Sequence, residues 1–153
     1  MASPIPPPNL GIHHLKLPTA SIPAKLDFYT TILGFKYRPE LDHKHPGADQ
    51  PYGVLVQHQA TSLLVELRLN PTQATAQRGW DAITWLVETR ADLEDQKTYL
   101  EAKNVDCSRV LRGVVGWVLV AEDPDGQMVR WYCKEEHEFD QNVDVDERWL
   151  PSD

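Results

Sequence analysis

The sequence predicts an α+β domain built from two consecutive βαβββ modules. The first observation is that the predicted order of a strand, a helix and three strands occurs twice, over residues 10–70 and 80–135. The second is the spacing of apolar residues in the two helices, where Leu26 and Leu33 recur as Leu93 and Leu100. A repeat of this length indicates that both halves share one architecture.

The first module opens with a strand over residues 10–18 and continues into a helix after Ser21. Serine is a common helix N-cap, and Pro23 fits the first turn. Gly34 ends the helix, because glycine tolerates the left-handed backbone of a helix C-terminus. A short strand at 35–37, a polar loop at 39–51 and a hairpin of strands at 53–58 and 62–70 complete the module.

The second module follows a polar connector at residues 71–79. Its predicted elements are a strand at 82–87, a helix at 92–103 and strands at 107–111, 116–121 and 128–133. Pro124-Asp-Gly forms the last turn, since proline fixes φ and Asp-Gly accepts positive φ. Residues 1–9 are a proline-rich extension, and residues 136–153 are an acidic tail. Trp149 in this tail docks either on the domain or on a second subunit.

The composition excludes several classes of function. The chain has 153 residues, 41% of them apolar, which suffices for one domain with a hydrophobic core. Its net charge of -8 argues against nucleic acid or anionic membranes as partners. Two cysteines, Cys107 and Cys133, favour a reducing compartment over a disulfide framework. Without an apolar run of membrane-spanning length or a secretory signal, the sequence predicts a cytoplasmic protein.

Three segments of the sequence resemble the vicinal oxygen chelate superfamily. They are His14-Leu-Lys-Leu, Leu26-Asp-Phe-Tyr-Thr-Thr-Ile-Leu-Gly-Phe35 and Glu122-Asp-Pro-Asp-Gly126. The superfamily includes glyoxalase I, extradiol dioxygenases, fosfomycin resistance enzymes and bleomycin resistance proteins. The resemblance covers residues 10–135 and implies that the mixed sheets of the two modules curl into a cup that holds the active site.

The resemblance also implies where a metal would bind. In metal-using members of the family, the ligands come from the first, fourth, fifth and eighth strands. The corresponding positions are His14, Glu66, Ala82 (or Asp81 if the register slips) and Arg130. His14 and Glu66 are good metal ligands, but alanine has no donor atom and a guanidinium has no lone pair to offer. A site for Zn, Ni, Mn or Fe would therefore be incomplete.

A cup without a metal is the alternative. Residues two apart on a strand share a face, so the cup would be lined by His14, Lys16, Glu66, Arg68, Arg130 and Tyr132. Arg130 would take the place of the metal and pair with Glu66. The resulting catalytic candidates are His14, Glu66 and Arg130, and the candidates for substrate binding are Lys16, Arg68, Trp117 and Tyr132.

Each of these assignments has a purely structural alternative. His14 could hydrogen-bond the backbone, and Lys16 could extend into solvent. Glu66 and Arg130 could form a structural ion pair that replaces the metal without binding a ligand. The segment His43-Lys-His45 is interpreted as a solvated loop. A displaced metal site would instead recruit His13, His58 or the loop Asp42-His-Lys-His45.

Three functions are compatible with this sequence. The favoured hypothesis is a glyoxalase-like enzyme that acts on a small carbonyl-, enol- or phenol-bearing molecule by lyase or isomerase chemistry, without the complete metal site. The second is a non-catalytic protein that sequesters a small molecule, as bleomycin resistance proteins do. The third is a metal-dependent glyoxalase I or extradiol dioxygenase. The resemblance also implies a homodimer.

Overall fold

The computed structural model describes residues 5–149, so the outer parts of the predicted N-terminal extension and acidic tail lie outside the described residues. The first module contains β1 (His14–Thr19), α1 (Ile22–Asp27), β2 (Lys36–Tyr37), β3 (Gly53–Gln57) and β4 (Leu64–Leu69). A connecting helix, α2 (Pro71–Ala76), follows. The second module contains β5 (Thr84–Val87), α3 (Arg90–Ala102), β6 (Leu111–Arg112), β7 (Gly116–Glu122) and β8 (Met128–Glu136).

Each module forms one four-stranded mixed sheet, with the strand orders β1-β4-β3-β2 and β5-β8-β7-β6. The first strand of each module pairs in parallel with the last, and the remaining pairs are antiparallel. The predicted α+β fold of two βαβββ modules is therefore confirmed. Lys16 lies opposite Glu66 in the first sheet, and Thr84 lies opposite Arg130 in the second. Glu66 and Arg130 are each the third residue of the last strand of their module, so they occupy equivalent positions.

The helix boundaries follow from local capping. Ser21 accepts a hydrogen bond from the amide of Ala24, as predicted, and α1 continues as a π-helical turn over Phe28–Ile32 before Gly34 takes a φ of +72°. Thr89 and Asp92 form a reciprocal capping box, which starts α3 two residues earlier than predicted.

Two predictions about the secondary structure are wrong. The connector at 71–79 contains α2, because the Asn70 side chain caps it and Pro71 fits its first position. The predicted strand at 107–111 is reduced to an isolated bridge between Cys107 and Ala121, followed by the two-residue β6.

The hydrophobic core lies between the helix-facing sides of the two sheets. Val56 and Leu67 from the first sheet and Leu119 and Trp131 from the second belong to one continuous buried cluster with Leu93 of α3. Because this cluster is shared, the two modules pack through their helix-facing sides. The opposite faces of both sheets point away from this core, and the candidate functional residues lie on these faces.

A buried polar network joins the two modules. Lys25 of α1 is 0% exposed and contacts Asp123, Asp125 and Gln127 in the turn between β7 and β8. The Gln127 side chain also donates to the carbonyl oxygen of Pro18 at 3.0 Å. The predicted last turn is therefore formed, and it attaches the second module to the first.

The segment after β8 is ordered against the second module. Its backbone follows β6, with the amides of Asp140 and Asp144 donating to the carbonyl oxygens of Val114 and Arg112. Arg148 holds both carboxylate oxygens of Asp106 at 2.7 and 2.9 Å. Trp149, like Met128 and Tyr132, packs on a cluster formed by Leu111, Val118 and Val120. Of the two predicted locations, Trp149 thus takes the one on its own domain.

Among residues 5–149, every helix is too short or too polar to cross a bilayer. The cytoplasmic location stays a prediction.

Candidate functional site

A buried carboxylate, Glu66, lies at the centre of a group of basic side chains on the first sheet. Its side chain is 1% exposed. Arg68 donates from Nε to Oε1 at 2.6 Å, and Lys16 Nζ lies 3.5 Å from Oε2. Both carboxylate oxygens therefore face a cation, which offsets the cost of burying the charge.

Two histidines complete this group. His14 Nε2 lies 3.6 Å from Oε2 of Glu66, and His43 Nδ1 lies 3.2 Å from Oε1. The Nδ1 atom of His14 is 2.9 Å from Nδ1 of His13, a distance that requires one ring to donate and the other to accept. We refer to His14, Lys16, His43, Glu66 and Arg68 as the Glu66 cluster. His43 belongs to the loop that the sequence predicts to be solvated; its side chain is 39% exposed and also contacts Glu66.

Strand geometry explains most of the Glu66 cluster. His14 and Lys16 are two apart on β1, Glu66 and Arg68 are two apart on β4, and the parallel pairing brings them side by side. Gly53 on β3 makes room for the carboxylate, because a Cβ at this position would lie 2.7 Å from Oε1 of Glu66. The sequence signal for this role was a glycine at the start of a predicted strand.

The electrostatics keep Glu66 ionised. Burial raises the pKa of its carboxyl, but the hydrogen bond and charge of Arg68 and the charges of Lys16 and His43 outweigh burial, so the pKa lies below its usual value. Lys16, His43 and His14 are the more accessible members, with side chains 51%, 39% and 34% exposed. The exposed part of the Glu66 cluster therefore consists of positively charged and N–H groups, and the buried carboxylate of Glu66 holds them in place.

Arg130 does not pair with Glu66, which corrects the predicted contact. Its Nε lies 3.0 Å from Asp81 Oδ2 and donates to Thr84 Oγ1 at 2.9 Å, on the equivalent position of the second sheet. Since the two modules of a chain pack through their helix-facing sides, the contacts of Arg130 and of Glu66 form on separate sheets. Asp81, the alternative ligand position, is thus the counter-ion of Arg130.

The two aromatic candidates lie on opposite faces of the second sheet. The Tyr132 ring packs over Gly116 and, like Trp149, against the cluster of Leu111, Val118 and Val120, on the face that also carries Arg130. Trp117 packs on the helix-facing side, with the Arg90 guanidinium 3.7 Å above its ring. The structure therefore does not bring Trp117 together with Tyr132, and its predicted contact with a substrate stays a prediction.

The residues at the metal positions do not fit a catalytic divalent ion. Such ions usually hold three protein ligands. Only His14 and Glu66 of the four positions carry donor atoms, and the oxygens of Glu66 are already engaged by Arg68 and Lys16. Within residues 5–149 there is no group of three or more His, Cys, Asp or Glu side chains that could hold a metal ion.

This chain belongs to the Glyoxalase/Bleomycin resistance protein/Dioxygenase superfamily, whose family model matches residues 11–130. The fold and the recurrence of Glu66 and Arg130 at equivalent positions agree with that assignment. No curated protein sequence matches the chain.

Solved structures of this superfamily share the fold at low sequence identity. TnmS3, an antibiotic binding protein from Streptomyces, is 16% identical over 82% of this chain and 96% of its own, with a TM-score of 0.64. A lactoylglutathione lyase from Agrobacterium tumefaciens is 18% identical over 84% and 96%, with a TM-score of 0.62. The fosfomycin resistance protein FosX from Listeria monocytogenes is 12% identical over 82% and 93%, also with a TM-score of 0.62.

Proposed function

We propose that the Glu66 cluster binds a small molecule through a carbonyl, enol or phenol oxygen, and that His14 transfers a proton on it without a divalent metal. The observation that carries this proposal is the buried, ionised Glu66 with two cations and two histidines around it. A carboxylate so completely paired is a weak base, so it serves to position its neighbours. His14, Lys16 and His43 are the accessible groups that would meet the ligand.

The chemistry suited to this arrangement is enolisation, the common step of isomerase and lyase reactions. His14 would remove a proton from the carbon next to a carbonyl, and the electron pair would move onto the carbonyl oxygen. Lys16, with Arg68 behind it, would stabilise the enolate oxygen that forms. If the deprotonated carbon carries a hydroxyl, the hydroxyl proton moves to the enolate oxygen and His14 returns its proton to the former carbonyl carbon. The new carbonyl then stands where the hydroxyl was, which completes an isomerisation.

A homodimer would complete the cup. In the described chain, the ion pairs of Glu66 involve only residues of the first module, while Arg130 and Tyr132 lie on the second sheet. The edge strands β1 and β5 border these faces, and Leu86 on β5 is 63% exposed. We propose that β1 of one subunit meets β5 of its partner. Leu86→Glu should then give a monomer in analytical ultracentrifugation, whereas an unchanged mass would contradict this arrangement.

The second candidate function is non-catalytic sequestration of a small molecule. It is favoured by the likeness to the antibiotic binding protein TnmS3 and by the aromatic surface of Tyr132 and Trp149 beside Arg130. A binding protein needs the same cations but no proton transfer, so the two functions differ in what happens to a bound ligand.

One experiment separates these functions. The protein is incubated in D₂O with a panel of enolisable ketones and phenols, and proton NMR records both line broadening and the loss of signals next to the carbonyl. Deuterium incorporation that disappears in His14→Ala and persists in His45→Ala, a variant of an exposed loop histidine outside the cluster, would support catalysis. Binding without exchange, lost in Lys16→Ala, would support sequestration. If neither binding nor exchange depends on His14 or Lys16, both proposals fail.

A further inference from the structure

A row of side chains crosses the outer face of the first sheet and extends from the Glu66 cluster to the far edge of the sheet. Residues directly opposite each other on neighbouring strands share a face. The row that crosses all four strands consists of His14, Leu64, Gln57 and Lys36. We refer to these four residues as the His14–Lys36 row.

The His14–Lys36 row is accessible along its whole length. Its two ends, His14 and Lys36, are exposed, and the two residues between them are half-buried. In the next row of the sheet, by contrast, Glu66 is 1% and Leu55 is 5% exposed. A ligand that extends from the Glu66 cluster across this sheet would therefore lie along the His14–Lys36 row.

The end of the row at β2 and β3 offers hydrogen-bond donors. The Gln57 side chain is held in place, because its Oε1 accepts from Arg38 at 2.6 Å and its Nε2 donates to the carbonyl oxygen of Ser62 at 3.1 Å. A side-chain amide has two N–H donors, so the bond to Ser62 uses only one of them. The second N–H of Gln57 and the exposed ammonium of Lys36 are donors suited to a carboxylate.

The charge of this face is opposite in sign to that of the whole chain, which is -8. Four cationic side chains lie on the face: Lys16, Lys36, Arg38 and Arg68. The carboxylates paired with them are Glu66 and Glu40, so four positive charges meet two negative ones. Asp42, in the same loop as Glu40, accepts from Tyr37 instead. A positive face on an acidic protein attracts anionic ligands.

We infer that the substrate is an enolisable keto acid that lies along the His14–Lys36 row, an inference that rests on the proposed function. The ketone meets His14, the alkyl chain covers Leu64, and the carboxylate binds Lys36 and Gln57. Neighbouring strands lie about 4.8 Å apart, so β1 and β3, which are two strands apart, are separated by about 10 Å. The substrate therefore carries its ketone and its carboxylate at opposite ends of a chain.

The probe is 7-oxooctanoate, whose chain is long enough to span this distance, and its neutral counterpart is 7-oxooctanamide. Proton NMR in D₂O follows deuterium incorporation at the carbons on either side of the ketone, and initial rates give the KM of each compound. The KM of the acid should be about fivefold lower than that of the amide. Lys36→Gln should bring the ratio of the two KM values close to one.

Lys97→Gln is the matched control, because it removes the same charge from the exposed face of α3 and should leave the ratio unchanged. Equal KM values for the two compounds in the wild type, with exchange that depends on His14, would overturn the inference and leave the enzymatic function intact. The same result would follow if Lys36→Gln did not change the ratio.

A binding measurement separates the two proposals if no exchange occurs. 7-Oxooctanoate is titrated into ¹⁵N-labelled protein while the backbone amide signals of Gln57 and Leu64 are observed. Saturable shifts that disappear in Lys36→Gln would support anion binding along the row while contradicting the catalytic function. Unperturbed signals would overturn the inference as well.

Discussion

Lys25 donates a hydrogen bond to the side-chain oxygen of Gln127 at 2.9 Å, across the buried contact between the two modules. The same ammonium group is paired with Asp123 and lies 3.2 Å from Asp125. In turn, Asp125 accepts from the amide of Ala20 at 2.8 Å. The turn between β7 and β8 thereby places two carboxylates against the first module, and Lys25 is the cation that pairs with both.

Lys25→Met should destabilise the protein by about 3–5 kcal/mol, because it leaves buried carboxylates without their cation. The free energy of unfolding in urea measures this loss. Lys97→Met is the matched control, since Lys97 pairs with Glu101 on the exposed face of α3 at 2.7 Å and should contribute less than about 0.5 kcal/mol. Equal effects of the two substitutions would contradict a stabilising role for the network.

The contribution of Glu66 to stability should depend on pH. Its folded pKa lies below the unfolded value of 4.5, so its stabilising effect is fully present above that value and is lost as the pH falls through the folded pKa. The difference in unfolding free energy between the wild type and Glu66→Gln should therefore be larger at pH 7 than at pH 3. Glu94→Gln on exposed α3 provides the baseline. If the difference in unfolding free energy instead increased as the pH falls, burial would have a larger effect on the pKa of Glu66 than its cations have.

Gly53→Ala should disturb the Glu66 cluster. The new Cβ would lie 2.7 Å from Oε1 of Glu66, and Arg68 restricts the movement of that carboxylate, so a cost of about 1–3 kcal/mol is expected. A double-mutant cycle tests the cause, because Gly53→Ala should cost much less in a Glu66→Ala background. Additive effects would mean that the glycine is needed for the backbone alone.

Protein purified without a histidine tag should contain much less than one equivalent of zinc, nickel, manganese or iron. The reason is that Arg68 and Lys16 engage both oxygens of Glu66, and a positive charge repels a divalent cation. Elemental analysis before and after incubation with each ion checks this. One equivalent of a bound ion, lost in His14→Ala, would return the protein to the metal-dependent chemistry that is common in its family.

Arg148→Ala should loosen the segment that follows β8. The two hydrogen bonds of Arg148 to Asp106 hold this segment near Trp149, so their removal should accelerate hydrogen exchange at the amides of Asp144 and Trp149. Exchange in β7 should remain slow, because its backbone is paired on both sides. Unchanged exchange at Trp149 would show that its apolar packing alone holds the segment.

The order of the strands could be predicted from the sequence because it depends on local periodicity and capping. The residue type alone explains the structural roles of Ser21, Gly34 and the turn at Pro124. The partner of Arg130 could not be predicted in this way. It depends on how the two modules pack, and that packing is decided by a core distributed over both of them.

The residues of the candidate site show the same difference: those on regular strands could be predicted, and those on irregular segments could not. His14, Lys16, Glu66 and Arg68 lie on two strands of regular alternation, which is why the sequence placed them on one face. His43 contacts Glu66 from an irregular loop, and the periodicity of apolar residues in the sequence cannot predict such a contact. Trp117 follows a register shift between Gly116 and Val118 in β7, and a shift of one residue exchanges the two faces of a strand.

The position of Trp149 has a consequence for the synthesis of the chain. Leu111, Val118 and Val120 all emerge from the ribosome before the indole that packs on them. During that interval the nascent domain carries an uncovered apolar surface, of the kind that chaperones recognise and that promotes aggregation. This apolar surface is thus covered only after all the strands of the second module have been translated.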